Sequence, residues 1–187
     1  MLVTLATRTF TPEPTAAALR LGALARTLAA GGDRVRVLTS RLAPSVARDA
    51  RQPADGGVEL GVGSGLVEVR RAPVLRDRTG AVRGYVSYMS FDLPLLARLL
   101  TGPRPDVVVS EPPPTTGAAV RIACTARRIP YVYYCADIVS DAAALAGVPG
   151  LVVRTVAGLE SFALRGARRV IAVSDGVASR ARDLGAR

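Results

Sequence analysis

Short β-branched runs alternate along this chain with longer stretches of helical spacing, a pattern that predicts repeated strand, loop, helix, strand units. The most complete unit is Arg104 to Asp137, RPDVVVSEPPPTTGAAVRIACTARRIPYVYYCAD. Asp106 to Ser110 reads as a strand buried on both faces. Glu111, Pro112, Pro113 and Pro114 stop it, and Thr115 or Thr116 is placed to cap a helix running to Arg128. Pro130 closes the helix before a second strand, Tyr131 to Cys135. Ligands of such units bind beyond the carboxyl ends of the strands, where Glu111 and Asp137 stand.

The rest of the chain follows the same logic. Leu2 to Ala6 is a first strand, and TRTFTPEP (Thr7 to Pro14) is a loop whose prolines forbid helix until Thr15 can cap one. That helix, Thr15 to Ala30, carries Leu19, Leu24 and Leu28 and ends at Gly31-Gly32. Arg34 to Thr39 is the second strand. Ser40 to Gly65 lacks periodicity and reads as a long loop with at most a short helix, and Leu66 to Arg71 alternates as a strand. Asp77 to Gly84 is a turn-rich spacer. In Tyr85 to Leu100, Val86, Met89, Leu93, Leu96, Leu99 and Leu100 recur at helical spacing, with Pro94 expected to bend or restart the helix. This face suits either a core or a lipid-linked ligand. IVSDAAALAGVPG, polar at first and then closed by Gly147, Pro149 and Gly150, leads to a helix from Leu151 to Leu164, a strand from Arg168 to Val173, and a helix from Asp175 to Leu184 with Ser174 as N-cap. The expectation is one doubly wound α/β domain, a mainly parallel sheet with helices on both faces.

Composition narrows the chemistry. No His and no Lys occur among the 187 residues, which excludes a Ser-His-Asp triad, His-ligated metal, a Schiff-base lysine and a Walker lysine. Cys124 and Cys135 fall on a helix and in an apolar strand, so buried free thiols are expected and no metal is. A net charge of +10 favours an anionic partner, but the arginines are scattered and aromatics are only 4%, which argues against nucleic acid. No apolar run reaches the roughly 18 to 20 residues of a membrane span, and nothing at the amino terminus reads as a signal peptide. A cytoplasmic protein, free or at the inner face of the membrane, is expected.

In order and spacing, FTPEPTAAALRLGALARTLAAGGDRVRVLTS, VEVRRAP, PDVVVSEPPPTT, YCADIVSD, GLESFALRGARRVIAVSDGV and DLGA resemble the amino-terminal half of a retaining family 4 glycosyltransferase of GT-B architecture. The resemblance implies a Rossmann-like domain spanning residues 1–187, the acceptor-binding half of an enzyme that moves a sugar from a nucleotide-sugar with retention. The carboxyl-terminal donor-binding domain would be absent, and the chain alone inactive. It implies no cofactor or metal beyond the nucleotide-sugar co-substrate, an acceptor that is anionic or lipid-linked, and a separate donor-domain chain or peripheral membrane association as candidate partners.

Carried over residue by residue, the resemblance makes Asp137 and Glu111 the catalytic candidates. Pro14, Thr15, Ala16, Ala17 and Ser174 line the donor-phosphate cleft, and Pro113, Thr115 and Tyr88 meet the acceptor. A helix amino terminus can hold a diphosphate without lysine, and a carboxylate at a strand end can accept a hydrogen bond from the acceptor hydroxyl. Three departures stand against the family pattern. Pro14-Thr15-Ala16 replaces the usual glycine after strand one, Asp137-Ile138-Val139-Ser140 lacks the Trp-Pro of the Asp-Leu-Trp-Pro type motif, and the cleft histidine is missing. They leave open a second reading, a non-catalytic binding or regulatory module keeping the fold. A Rossmann nucleotide binder of another class is disfavoured because no G-x-G-x-x-G follows strand one.

Overall fold

A computed structural model describes residues 1–49, 58–62, 65–77, 80, 82 and 84–187. The chain forms two compact units, Met1–Ala97 and Arg98–Arg187.

The first unit contains β1 (Leu2–Ala6), α1 (Ala16–Ala30), β2 (Arg34–Ser40), α2 (Pro44–Asp49), β3 (Val58–Val62), β4 (Gly65–Ala72) and most of α3 (Tyr85–Thr101). Its strands lie in the order β3-β4-β2-β1. β1 and β4 run parallel to β2, and β3 runs antiparallel to β4 with Leu60 opposite Val67. The stretch from Ser40 to Gly65, expected as a loop with at most a short helix, contains the short helix α2 and, beyond that expectation, the strand β3; its residues 50–57, 63 and 64 lie outside the described residues, as do 78, 79, 81 and 83 of the expected spacer. The Val58-Glu59-Leu60-Gly61-Val62 alternation is the strand signal, hidden by the glycines around it.

Helix α1 starts as expected, with the Thr15 hydroxyl accepting from the Ala18 amide. Its core face differs from the expected leucines. Ala18, Leu21, Gly22, Ala25 and Ala29 are buried, whereas Leu19 is 65% exposed. Small residues are required because the backbone comes close: a Cβ on Gly22 would meet Thr11 Cγ2 at 2.8 Å, and one on Gly65 would meet the Ala29 carbonyl oxygen at 2.1 Å. Helix α3 passes through Pro94 without restarting. It buries Ser87, Phe91, Asp92, Leu95 and Leu99, while Val86 and Leu93, expected on the apolar face, are 69% and 58% exposed.

The second unit contains β5 (Val107–Ser110), α4 (Pro114–Arg127), β6 (Tyr131–Cys135), α5 (Val139–Leu145), α6 (Gly150–Gly166), β7 (Arg169–Ala172) and α7 (Asp175–Asp183). β5, β6 and β7 are adjacent and parallel, with Ser110 opposite Tyr133 and Cys135 opposite Ala172. The cap of α4 is Pro113, followed by Pro114 at the first helical position, so neither Thr115 nor Thr116 caps it. α5 forms in the stretch after Asp137, for which the sequence pattern gave no element. α4 and α6 close over Tyr133 so tightly that a Cβ on Gly117 would lie 2.6 Å from the ring and 2.8 Å from Ala163 Cβ. Both cysteines are buried free thiols, as expected. With β3 the single antiparallel strand among the described residues and helices as the parallel connections, the class is Rossmann-like α/β with helices on both faces.

Candidate active-site elements

In the first unit the loop between β1 and α1 is held from behind by charge. The Glu13 carboxylate is buried; it accepts from the Phe10 amide at 3.2 Å and pairs with the Arg76 guanidinium at 3.4 Å. Arg71, at the carboxyl end of β4, donates to the Thr11 and Ser40 carbonyls at 2.7 and 3.2 Å. The Ser40 hydroxyl donates to the Arg8 carbonyl at 2.7 Å. Burial pushes the Glu13 carboxyl above the ordinary carboxylate range in spite of Arg76, the Phe10 amide and Arg71. Burial likewise lowers Arg71, with Glu13 opposing.

This bracing presents Pro14 and Ala16 to solvent at the start of α1, with Thr15 and Ala17 partly exposed. The amides of Ala16 and Ala17 lie in the first turn, where a helix supplies no acceptor of its own. Tyr88 is half-buried, and one face of its ring is occupied by the Arg8 guanidinium, 3.8 Å from the centroid. Glu13, Arg71 and Arg76 were not singled out from the sequence. Their signal was a carboxylate between two loop prolines and an Arg70-Arg71 pair closing a strand.

In the second unit Glu111, Asp137 and Ser174 follow the carboxyl ends of the three adjacent strands β5, β6 and β7. Glu111 is buried. Thr115 Oγ1, in the first turn of α4, is buried without a hydrogen-bond partner. Ser174 is used as a cap, accepting from the Val177 amide at 3.3 Å. Pro113 is half-buried and ends the turn ahead of α4.

Asp137 is exposed, and it does not cap the helix that follows it. The cap is supplied by Glu160 of α6, whose two carboxylate oxygens accept from the amides of Val139 and Ser140 at 2.6 and 3.0 Å. The Cys135 thiol donates to the Asp137 carbonyl at 3.4 Å. The Tyr133 hydroxyl lies well above its ordinary pKa, first through burial and then through the charges of Cys135, Glu160, Asp137 and Glu111. Burial pushes both cysteine thiols up to about 12, so neither is a nucleophile at neutral pH. Among the described residues no group of three or more acidic or cysteine side chains is arranged to hold a metal.

A Rossmann-like α/β chain with candidate polar groups at the carboxyl ends of parallel strands is the class to which GT-B glycosyltransferase halves belong. The assignment is specific: the chain belongs to the glycosyl transferase 4-like domain family, whose model matches residues 15–187. It is therefore a glycosyltransferase-family domain. No curated protein sequence matches it. Among solved structures it is similar to sucrose-phosphate synthase from Thermosynechococcus elongatus, with TM-score 0.66 and 14% identity over 99% of this chain and 45% of that one. It is also similar to HepE of Anabaena in complex with UDP, with TM-score 0.54 and 19% identity over 100% of this chain and 41% of that one. UGT89C1 of Arabidopsis thaliana complexed with UDP gives TM-score 0.51 and 12% identity over 92% of this chain and 44% of that one. At these identities the likeness is one of fold. The chain spans less than half the length of each of these structures.

Proposed function

We propose that this chain is the acceptor-side half of a retaining glycosyltransferase that takes its sugar from a nucleotide-sugar. The observation that carries the reading is Asp137: an aspartate at the carboxyl end of β6 that is exposed and relieved of the capping duty such a residue ordinarily has. In this reading its carboxylate accepts a hydrogen bond from the acceptor hydroxyl, with Glu111 beside it and Pro113 and Thr115 lining the approach. The amides of Ala16 and Ala17, with Thr15 and Pro14 shaping the turn, serve the donor phosphates through a helix amino terminus worth about 0.3 to 1 kcal/mol toward an anion. The donor site itself belongs to a second domain, in the same polypeptide or in a partner chain, and the half alone does not turn over. No metal or cofactor takes part.

The acceptor is anionic or lipid-linked. The net charge of +10 supports the first term. The second is supported by Leu75, Val86 and Leu93, exposed on or beside α3 while Asp92, the carboxylate of that helix, is turned inward at 2% exposure. No helix among the described residues is long and apolar enough to cross a membrane. The association proposed is peripheral, through these exposed side chains, at the cytoplasmic face. The family's role would then be carbohydrate biosynthesis.

The test is transfer from a panel of nucleotide-sugars to lipid-linked and soluble acceptors, with a donor-side domain supplied and the anomeric configuration read by NMR. Transfer with retention is expected, lowered about a hundredfold but still measurable in Asp137→Asn. No transfer from any donor, together with no thermal shift by any nucleotide-sugar or acceptor, would leave the non-catalytic binding module in its place.

A further inference from the structure

Helix α5 begins without a cap of its own. Its N-cap residue, Ile138, has no side-chain oxygen, and the helix is only seven residues long. Its first two amides are satisfied from α6 instead, by the paired oxygens of Glu160. Glu160 is 2% exposed, and a carboxylate is costly to bury unless hydrogen bonds replace its water. Two amides at the positive end of a helix do so.

The clamp has a firm base. α6 is tied to β6 by the Tyr131 hydroxyl, which donates to the Ala163 carbonyl, and to the end of α7 by the Ser161 hydroxyl, which donates to the Leu184 carbonyl at 2.7 Å. Ahead of the turn, the Cys135 thiol holds the Asp137 carbonyl. The backbone of Asp137 is thus gripped on both sides while its side chain remains in solvent.

We propose that Glu160 is a positioning residue for Asp137. By taking the amides of Val139 and Ser140 it performs the capping that an aspartate at this place would perform for itself, and it leaves the Asp137 carboxylate directed outward for a ligand. The identity of that ligand, an acceptor hydroxyl, rests on the glycosyltransferase reading above; the clamp itself does not.

The experiment compares the full wild-type chain with Glu160→Gln, Asp137→Asn and the double variant. Amide hydrogen exchange at Val139 and Ser140 is expected to quicken about tenfold or more in Glu160→Gln, the ratio carried by loss of one charge-assisted hydrogen bond, and to hold in Asp137→Asn. The Asp137 carboxyl carbon resonance is expected to move in Glu160→Gln. In the transfer assay Glu160→Gln is expected to lower kcat with donor KM unchanged, and to add nothing in the Asp137→Asn background. Val139→Pro, which deletes one donor amide at a position that tolerates proline, should reproduce these effects with Glu160 intact, and decides the matter if Glu160→Gln does not fold. Unchanged exchange, an unmoved Asp137 resonance, or an equal loss of kcat in both backgrounds would each overturn the proposal. Absence of transfer in every form would instead overturn the glycosyltransferase reading, with exchange and resonance still deciding the clamp.

Discussion

Glu13 and Arg76 form an ion pair at 3.4 Å whose carboxylate side is 7% exposed and whose guanidinium side is 16% exposed. The pair joins the loop after β1 to the segment after β4. Because burial outweighs Arg76 and the other favourable partners, the folded protein holds the Glu13 proton more tightly than the unfolded chain does. The group's contribution to stability therefore falls as pH rises from the unfolded carboxylate value through the raised folded value. Glu13→Gln should remove that slope at little cost at neutral pH. Arg76→Ala should be the damaging change, costing roughly 3 kcal/mol because it leaves a buried carboxylate uncompensated, and it should steepen the pH dependence. Urea unfolding of both variants between pH 4 and about 8 checks the sign.

Gly117 is where two helices meet a buried ring. Gly117→Ala would set a methyl 2.6 Å from Tyr133 and 2.8 Å from Ala163, and neither neighbour is the end of a flexible chain. A loss of about 1 to 3 kcal/mol is expected, read as a lowered urea midpoint with unchanged slope.

These two sites show which parts of the fold were legible in the sequence. β1 and β6 have the bounds read from their β-branched runs, and Thr15 and Ser174 cap as their residue types suggest, because each depends on local chemistry. The outward Leu19 and the inward Ala18, Gly22 and Ala25 were not legible: hydrophobicity marks leucine as core, whereas close approach of the helix selects the smaller residue. α5 escaped for a related reason. Its start is satisfied by Glu160, some twenty residues away in sequence, and no local capping residue announces it. Asp137 and Glu111 were read as candidates from their place after strands, and they do stand just beyond the ends of β6 and β5. The residues that brace the loop and the turn, Arg71, Arg76 and Glu160, act only through tertiary contacts.

The two cysteines should be inert. With their thiols pushed up to about 12 by burial, the thiolate fraction at pH 8 is on the order of one in ten thousand. Iodoacetamide followed by intact mass should show no adduct on the native chain over an hour or so, and two adducts once urea unfolds it. Labelling of the native chain at the rate of a free thiol would contradict the burial of Cys124 and Cys135.

Thr15 and Asp137 offer a matched pair for separating stability from function. Thr15 Oγ1 accepts from the Ala18 amide at 3.1 Å, so Thr15→Ala should cost about 1 kcal/mol of stability. Asp137 is exposed and caps nothing, so Asp137→Asn should stay within about 0.5 kcal/mol of wild type. In the transfer assay the order should reverse. In the role proposed for Asp137, Asp137→Asn removes the charge that would accept the acceptor hydroxyl and should lower kcat by about a hundredfold, the scale at which a positioned acid or base contributes. Thr15→Ala leaves the Ala16 and Ala17 amides in place and should mainly raise the donor KM. If Asp137→Asn instead lowers stability by as much as Thr15→Ala and leaves transfer unchanged, Asp137 belongs to the scaffold and the acceptor hydroxyl is met elsewhere.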